Sequence, residues 1–373
     1  MIRAMAVIGT GLIGTSVALA ASRQGVTVFL SDRDPAAART AAALGAGRVE
    51  LPPDPVDLAV LAVPPSKVGH LLIELQRRGL ARTYTDVGSV KAEPERLVLD
   101  HAPDPSGYVG GHPMAGRERS GPLAARADLF RGRPWALTPS PLTSGTAMDR
   151  ALELVDLCGG VPVVTQSRAH DEAVALTSHV PHLVASLMAA RLRGTPDGMR
   201  RFAGQGLRDV TRIARGDSRL WSDILQSNAD SVIGFVKELH TDLSRLVSAL
   251  DQLADRDGME RAHGMRTLAD LLERGIEGVA GIPPLAGGTP ADLTAVLVSV
   301  PDRPGELARL LASVAGHGLG ADDATVASAE EGALAVRLTV PSDVADLVAA
   351  ELEAEGWRAM SEEDIRSGVS AAG

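Results

Sequence analysis

The sequence predicts an α/β protein of three regions, and three patterns in its 373 residues carry that prediction. Short apolar runs alternate with helical segments through residues 1–165, which is typical of a parallel sheet covered by helices. Long helical periodicity fills residues 166–280, and residues 293–361 follow the βαββαβ order of a ferredoxin-like domain. We expect residues 281–292, rich in Gly and Pro, to form a linker and residues 362–373 to form a frayed tail.

Composition limits the classes of partner. The net charge is −10 and no basic run stands out, so we expect no nucleic-acid partner. No apolar run reaches the roughly 20 residues of a membrane span, and the N-terminus enters a strand-like run without the features of a signal peptide. We therefore expect a cytoplasmic protein with no membrane partner. Cys158 is the single cysteine, which excludes an intramolecular disulfide and a multi-cysteine metal site, and we expect no metal.

The first region begins with the pattern of a dinucleotide-binding unit. The apolar run Ile2–Ile8 leads directly into Gly9-Thr10-Gly11-Leu12-Ile13-Gly14 and then into an Ala- and Leu-rich helical segment. Glycines at this spacing permit a tight turn and close approach of the backbone to a pyrophosphate, while the helix N-terminus supplies N–H donors. A second apolar run, Val26–Leu30, ends near Asp32, where a carboxylate can accept from ribose hydroxyls. The pattern predicts a Rossmann-type domain, and a Gly-rich turn in another α/β fold is the alternative.

The acidic residue favours NAD over NADP as the cofactor. The Asp32 carboxylate would repel a 2′-phosphate, although Arg33 beside it could offset that repulsion. A solvated surface position is the alternative for Arg33. Val63 ends the apolar run that begins at Asp57, a run typical of a buried parallel strand. We assign cofactor contacts to Gly9, Gly11, Leu12, Ile13, Gly14, Asp32, Arg33 and Val63.

Polar residues follow the later strands of this region. Further strands are predicted at Thr83–Val87, Val109–Gly111 and Trp135–Thr138. Ligands bind outside the carboxyl ends of strands in open α/β sheets, so Ser89 with Lys91, and His112, should meet the Gly-rich turn at one edge. His112 lies between two glycines and Pro113, where backbone geometry fixes the position of a side chain. We predict that His112 is the catalytic base, and a turn that only happens to contain a histidine is the alternative.

The helical region contains a histidine cluster. One helix is predicted from Ala169 to about Leu192, and Pro181 is expected to kink it. Beside that kink, Ser178, His179 and His182 are predicted to form a pocket wall, with the two histidines on one helical face. A metal pair and a structural polar cluster are the competing interpretations.

An arginine cluster follows. Arg208, Arg212 and Arg215 are spaced to share one helical face ahead of Trp221. The planar arginine fork suits a carboxylate, so the cluster predicts an anionic substrate, and a solvated helix face is the alternative. Long amphipathic helices are predicted at Trp221–Ala254 and Met259–Ile276. Broad apolar faces of this kind usually pair with a partner, which we expect to be a second subunit.

Together the motifs resemble the prephenate/arogenate dehydrogenases of tyrosine biosynthesis, over nearly the whole chain. The markers in chain order are GTGLIG, DVGSVK, GGHPMAG followed by RSG at Arg119–Gly121, TSHVPH at Thr177–His182, and RDVTRIA with Trp221 downstream. The resemblance implies a homodimer that oxidises and decarboxylates prephenate with hydride transfer to NAD. The last region, with its turn Pro301–Gly305, resembles an ACT domain, a module that often binds amino acids, which implies tyrosine as an effector.

The resemblance also implies a role for each matching residue. His112 resembles the base that bonds the 4-hydroxyl group of the substrate, and Ser89 resembles the residue that orients this histidine and touches substrate or cofactor. Residues that resemble substrate-binding positions are Ser178, His179, His182, Arg212 and Trp221. In the ACT-like segment, Gly320-Ala321-Asp322-Asp323 replaces the Asn-Ile pair of many ACT domains, so ligand binding there is a weaker expectation than the fold.

Three other functions stay open. One is a dehydrogenase that takes an amino-substituted prephenate in a specialised pathway, and the ACT-like tail argues against it because feedback control suits primary metabolism. An arogenate dehydrogenase would need a hydrogen-bond acceptor near the substrate amino group, and the sequence does not locate one. A non-catalytic NAD-dependent sensor is the alternative of another class. A sensor has no need to combine His112, Ser89 and Arg212, which favours an enzyme.

Overall fold

The chain folds into two compact units, Met1–Pro283 and Pro284–Gly373. The structure is a computed structural model that describes residues 1–116, 121–255, 257–282, 293–301, 303–317, 319, 323–330 and 333–361. Parts of four predicted features lie outside the described residues: positions 119–120 of the RSG motif, most of the linker, position 302 of the turn after the linker's following strand, and positions 320–322 of the ACT-like segment. The predicted tail also lies outside them.

The first unit begins with a seven-stranded sheet in the order β2-β1-β3-β4-β5-β6-β7. Its strands are β1 (Ala4–Ile8), β2 (Thr27–Ser31), β3 (Val56–Leu61), β4 (Ala81–Asp86), β5 (Tyr108–Pro113), β6 (Pro134–Thr138) and β7 (Val161–Val164). The helices between them are α1 (Leu12–Arg23), α2 (Pro35–Ala43), α3 (Pro65–Arg77), α4 (Ala92–His101) and α5 (Gly145–Leu157). The predicted Rossmann-like fold is confirmed.

The strand directions place the polar residues at one edge. Strands β1 to β5 are parallel to their neighbours, so their carboxyl ends share that edge, whereas β5 and β6 pair antiparallel. β1 lies between β2 and β3, which makes its carboxyl end the topological switch point where α/β sheets bind ligands. Buried side chains of α1 and α5 form one core, and those of α3 and α4 form a second. With its faces covered in this way, the sheet holds the site residues on rigid strand ends.

The helical region follows the sheet within the same unit. Its helices are α6 (Ser167–Val174), α7 (Val180–Arg191), α8 (Asp197–Arg200), α9 (Gln205–Arg212), α10 (Ser218–Ser227), α11 (Ala229–Ala254) and α12 (Gly258–Ala280). Between α6 and α7 the chain makes a π-helical turn over Ala175–His179. Pro181 has no N–H group and its ring crowds the preceding turn, so the predicted kink takes the form of this wider turn.

Two predictions about the helices were wrong. The single helix predicted over Trp221–Ala254 is divided at Asn228, whose backbone leaves the helical region at φ −124° and ψ 25°. Its side chain turns inward to bond Asp171 and His179, and these buried bonds replace helical continuity. The three arginines do not share one α-helix, because α9 ends at Arg212 and a 3₁₀ turn over Ile213–Arg215 follows.

One helical segment, Ser167–Arg191, is long and apolar enough to cross a membrane by length and composition alone, contrary to the expectation from sequence. A core helix of a folded protein passes the same test. His170, Asp171 and His179 on this segment are buried and bonded to residues of β5, α4 and α11. We therefore treat the segment as part of the first unit, packed by the face that carries these residues, and the absence of a membrane partner and the cytoplasmic location remain predictions.

The second unit contains a four-stranded antiparallel sheet in the order β11-β8-β10-β9. Its elements are β8 (Leu293–Pro301), α13 (Glu306–Val314), β9 (Ala324–Glu330), β10 (Ala333–Pro341), α14 (Ser342–Ala354) and β11 (Arg358–Ser361). Inward-facing Val296, Val298 and Leu338 pack against the two helices. The unit therefore has a small hydrophobic core of its own.

Candidate active site

His112 lies at the carboxyl end of β5, where it pairs with Ala136 of β6. The two glycines before it are required by close packing. A Cβ atom on Gly110 would lie 2.4 Å from Thr138 Oγ1, and one on Gly111 would lie 2.5 Å from the Asp86 carbonyl oxygen. The sheet can therefore hold the His112 backbone tightly at this edge, while the His112 side chain is partly exposed.

The His112 side chain begins a buried chain of hydrogen bonds. Its Nδ1 lies 2.9 Å from Nε2 of His170, and Nδ1 of His170 lies 2.8 Å from Oδ1 of Asp171. His170 and Asp171 are 3% and 2% exposed. The Asp171 carboxylate also accepts from the backbone N–H groups of Lys91 and Ala92, each at 2.8 Å, at the start of α4. A fixed anion thus ends the chain that starts at His112.

The surroundings of His112 favour its neutral form. Burial lowers the pKa of His112 well below its usual value of about 6.5, and the positive charge of the neighbouring Lys91 lowers it further. A histidine with such a pKa is unprotonated at neutral pH. It can therefore act as a general base.

A buried ion pair supports the strand end beneath His112. Lys91 and Asp86 are both 0% exposed, and the Lys91 ammonium contacts the Asp86 carboxylate. Lys91 Nζ also donates to the Gly111 carbonyl oxygen at 2.7 Å, and the Tyr108 hydroxyl donates to Asp86 at 2.7 Å. Burial, followed by the negative charge of Asp86, raises the pKa of Tyr108 well above its usual value, so the hydroxyl stays a donor. The pair is fully hydrogen-bonded, which is the condition under which buried charges are tolerated.

The structure does not show the predicted contact between Ser89 and His112, and the orienting role of Ser89 stays a prediction. Among the described residues no hydrogen bond joins Ser89 to His112, and the Nδ1 atom of that ring is bonded to His170 instead. Ser89 is partly exposed in the turn after β4. Contact of Ser89 with substrate or cofactor stays a prediction.

A second wall of the site comes from the helical region. The rings of His182 and Trp221 stack with centroids 3.6 Å apart and planes within 8°. His182 is 7% exposed, and its Nδ1 has no hydrogen-bond partner among the described residues. Burial lowers the pKa of His182 below its usual value, against the opposing effect of a hydrogen bond that the ring donates to the Ile213 backbone. A flat, neutral surface of this kind suits an unsaturated ring.

The second wall is tied to the sheet by Asp223, two residues after Trp221. The Asp223 carboxylate accepts from both the backbone N–H and the hydroxyl of Ser66, at the start of α3. Val63, predicted to contact the cofactor, lies just before that helix. The link joins the helical wall to the cofactor edge of the sheet.

His179 does not line the surface of the site as predicted. It is 1% exposed, its Nδ1 is 3.1 Å from Nδ2 of Asn228, and its ring meets Trp221 edge-on at 6.0 Å. Burial lowers the pKa of His179 to about 4, although the Asp171 charge opposes that shift. His179 therefore supports Trp221 from behind, because a side chain so deeply buried cannot reach a ligand without movement.

The remaining substrate-binding predictions fall on exposed positions. Ser178 is exposed in the π turn, and Arg212 is exposed at the end of α9. Helix α9 packs against α7, which carries His182, and Trp221 follows Arg212 closely in the sequence. Their contacts with substrate stay predictions. Arg208 and Arg215 are exposed as well, and we assign them no role.

The Gly-rich turn is shaped to accept a dinucleotide. Gly9 has φ +99°, and a Cβ atom on it would lie 2.1 Å from the Ala62 carbonyl oxygen, while one on Gly14 would lie 1.9 Å from the Gly9 carbonyl oxygen. Around Gly11, by contrast, no described atom comes within 4 Å of the Cβ position, which leaves room for a ligand. Asp32 lies at the end of β2 and accepts from Thr10 Oγ1 at 2.9 Å. Leu12 and Ile13 begin α1, Val63 lies beside Gly9, and Arg33 is exposed next to Asp32. Together these residues fit NAD.

No metal site accompanies this arrangement. Across the part of the chain that the structure describes, no group of three His, Cys, Asp or Glu residues could hold a metal ion. Cys158 is buried in the sheet domain, and burial raises its pKa to about 12, so its thiol is unreactive.

Sequence reasoning missed three residues of the site. His170 and Asp171 are adjacent in the sequence, and the histidine reaches back over 58 positions to His112. Asn228 supports both Asp171 and His179 from the break between α10 and α11. The adjacent His-Asp pair before the SHVPH motif was the available signal, but only the fold shows what it contacts.

The Gly-rich turn at the switch point, the acid after β2 and a neutral histidine at the same edge define an NAD-dependent dehydrogenase of Rossmann type. The nucleotide-binding domain of prephenate dehydrogenase matches residues 17–164, and the dimerization domain of the same family matches residues 166–265. The chain therefore belongs to the prephenate dehydrogenase family.

Individual relatives agree with this assignment. A probable prephenate dehydrogenase, NovF, from Streptomyces niveus is 46% identical over 85% of this chain and 88% of its own. A cyclohexadienyl dehydrogenase from Zymomonas mobilis is 32% identical over 68% of this chain and 89% of its own. The crystal structure of prephenate dehydrogenase from A. aeolicus, in complex with hydroxyphenyl propionate and NAD+, has a TM-score of 0.64 at 25% identity and covers 74% of this chain and 98% of that one.

Proposed function

We propose that this protein is an NAD-dependent prephenate dehydrogenase, which converts prephenate into 4-hydroxyphenylpyruvate and CO2. One observation carries the proposal: a neutral, partly exposed His112 at the cofactor edge of the sheet, anchored through His170 to the buried Asp171. Membership of the prephenate dehydrogenase family selects the substrate class.

The residues of this chain handle one proton. NAD, when bound, supplies the hydride acceptor. His112 takes the proton of the substrate 4-hydroxyl on its Nε2 atom and returns it to the same oxygen once the ring carboxylate has left as CO2. The reaction therefore releases no net proton. Because aromatisation of the ring supplies the driving force, the protein mainly needs to position the reactants and hold that proton.

The helical wall would hold the anionic substrate. We assign the Arg212 guanidinium to a substrate carboxylate, because a charge-assisted pair of this kind is strong and directional. Trp221, stacked on His182, would lie against the ring, and Ser178 would contribute a hydroxyl at the rim. This division gives the sheet edge and the adjoining helix α6 the chemistry, and the rest of the helical region the recognition.

The decisive assay uses two substrates and two cofactors. We expect NADH to form with prephenate and NAD, and a much slower reaction with NADP because of Asp32. Faster turnover of arogenate than of prephenate would move the assignment to arogenate dehydrogenase. No turnover of either substrate with either cofactor would overturn the proposed function.

We also propose a homodimer built on α11 and α12. These helices expose many large apolar side chains, and the family describes this region as its dimerization domain. The exposed residues are Ile233, Leu239, Leu243, Val247, Leu250, Met259, Met265, Leu272, Ile276 and Val279. Sedimentation velocity should give twice the chain mass, and a monomer at micromolar concentration would contradict the proposal.

For the second unit we propose an ACT-like regulatory domain that binds tyrosine. Its βαββαβ order and its sheet order β11-β8-β10-β9 support the ferredoxin-like assignment. A ligand at about 100 times its Kd stabilises a folded state by about 2.7 kcal/mol, so tyrosine should raise the melting temperature of the full-length protein. Unchanged activity and an unchanged melting temperature with tyrosine would contradict it.

A further inference from the structure

We propose that His170 and Asp171 are positioning residues that hold His112 in the tautomer whose lone pair lies on Nε2. This inference rests on the proposed function, in which His112 Nε2 takes the substrate proton. It assigns a purpose to two buried polar side chains that do not themselves reach the substrate. We refer to His112, His170 and Asp171 together as the relay.

The tautomer of each histidine can be assigned in turn, beginning at Asp171 and proceeding to His112. An ionised carboxylate can only accept hydrogen bonds, so Nδ1 of His170 must carry its proton toward Asp171. The neutral His170 ring then has its lone pair on Nε2, which must accept from His112. His112 Nδ1 therefore carries the proton, and Nε2 of His112 keeps the lone pair that a base requires. That Nε2 atom makes no hydrogen bond among the described residues.

The Asp171 anion is held in place by the backbone. Both of its oxygens accept from N–H groups at the start of α4, and the Asn228 side chain donates to the Asp171 carbonyl oxygen at 2.8 Å. The positive end of a helix favours a negative charge at this place. The α4 backbone and the His170 ring thus hold the carboxylate, while Asn228 holds the backbone of Asp171.

The same relay can accommodate the proton after transfer. When His112 Nε2 gains the hydroxyl proton, the Nδ1 proton can move toward Nε2 of His170, which spreads the positive charge toward Asp171. The movement reverses when the proton returns to the substrate oxygen, so no atom or charge is lost. A carboxylate behind a histidine stabilises the imidazolium in this manner in other enzymes.

The first test compares His170→Leu with His170→Gln. Leucine removes the acceptor for His112 Nδ1, while the glutamine side-chain oxygen can still accept that hydrogen bond. Both variants leave Asp171 bonded to the α4 backbone, so neither creates an unpaired buried charge. We expect His170→Leu to lower kcat on the order of 10²- to 10³-fold with little change in KM, and His170→Gln to recover to within roughly tenfold of the parent. The matched control is His70→Leu, an exposed histidine on α3 that should leave kcat unchanged.

The pH profile separates positioning from a purely structural role. The titratable and charged groups that face the relay are Asp86, Lys91 and Glu95, together with His179. The lone pair that His170 presents to His112 Nδ1, with the Asp171 charge behind it, favours the protonated form of His112, so removal of His170 should lower the pKa of His112 further below its usual value. Because only neutral His112 is active, the acid limb of kcat/KM should move to lower pH in His170→Leu. A loss of folding alone would not shift this limb.

A second measurement does not depend on turnover. NMR of the ring nitrogens of isotope-labelled histidine reports which nitrogen carries the proton. The chain has nine histidines, and single substitutions assign the signal of each one. We expect both His112 and His170 to carry their proton on Nδ1, and His112 to become a tautomer mixture in His170→Leu.

The outcomes distinguish the two proposals. If the tautomers are as expected but neither prephenate nor arogenate is turned over, the relay stands and the proposed function fails. If prephenate is turned over but His170→Leu keeps the parental kcat and pH profile, the relay is overturned. A proton on Nε2 of His112 in the parent protein would also overturn it.

Discussion

The two sides of the active site are built in opposite ways. On the sheet side, in which we include Asp171 of the adjoining helix α6, Asp86, Lys91 and Asp171 are 0 to 2% exposed, and each of these three charges is hydrogen-bonded. On the helical side, Ser178 and Arg212 lie exposed on a turn and a helix end. The difference indicates that the sheet fixes the geometry of proton transfer, whereas the helices present charge to an incoming anion. Substitutions should therefore separate into effects on kcat and effects on KM.

The largest expected effect is at the base itself. His112→Asn should lower kcat by roughly 10³- to 10⁴-fold with little change in KM, because it removes proton transfer and leaves the helical wall intact. Steady-state kinetics with prephenate and saturating NAD measure both constants. Near-normal turnover would show that His112 is not the base.

The next largest effect is a loss of stability when a buried charge on the sheet side loses its partner, compared with the loss of an exposed ion pair. Lys91→Met leaves the Asp86 carboxylate buried without its partner, which should cost about 3 to 5 kcal/mol of stability. Denaturant unfolding measures this loss in the free energy of unfolding. Arg96→Met breaks an exposed pair with Asp100 and is the matched control, with little change expected. Equal losses in both variants would show that burial does not set the importance of the Lys91–Asp86 pair.

A smaller effect is expected on the helical side. Arg212→Gln should raise KM for prephenate by roughly 10- to 100-fold, the range for losing a charge-assisted bond, while kcat at saturation stays within a few-fold of the parent. Arg208→Gln, also exposed on α9, serves as the control with little change. An unchanged KM in Arg212→Gln would remove Arg212 from the substrate site.

The smallest effect concerns pH. Because the pKa of His112 lies well below its usual value, the neutral base should persist as the pH falls from neutral, and kcat/KM should stay flat until the pH is below about 6.5. A profile that already falls near or above that value would mean that burial does not hold His112 neutral. The measurement needs only the parent enzyme, with its stability checked at each pH.

Local patterns were enough to predict one part of the site. The Gly-rich turn, Asp32 and His112 each follow a strand, and strand order alone brings them to one edge. The contacts among side chains could not be predicted in this way. Ser89 seemed suited to orient His112, yet His170 occupies that position from 58 residues away, and sequence spacing carries no information on such a distance.

Asn228 shows the same limit in the helices. The apolar periodicity continues across Trp221–Ala254, so the sequence favours one helix, but buried bonds to Asp171 and His179 divide it. His179 shared a helical face with His182, and only packing shows that one supports Trp221 from behind while the other stacks on it. Periodicity predicts which face is buried but does not identify the partners across it.

The central claim is that the sheet side carries chemistry and the helical side carries binding. Calorimetric titration of prephenate into His112→Asn and into the double variant His112→Asn with Arg212→Gln, both with NAD present, tests it without turnover. We predict that His112→Asn binds prephenate with a Kd close to the KM of the parent, and that the added Arg212→Gln weakens binding by at least tenfold, about 1.4 kcal/mol. Loss of binding in His112→Asn alone, or equal affinity in both variants, would contradict the account.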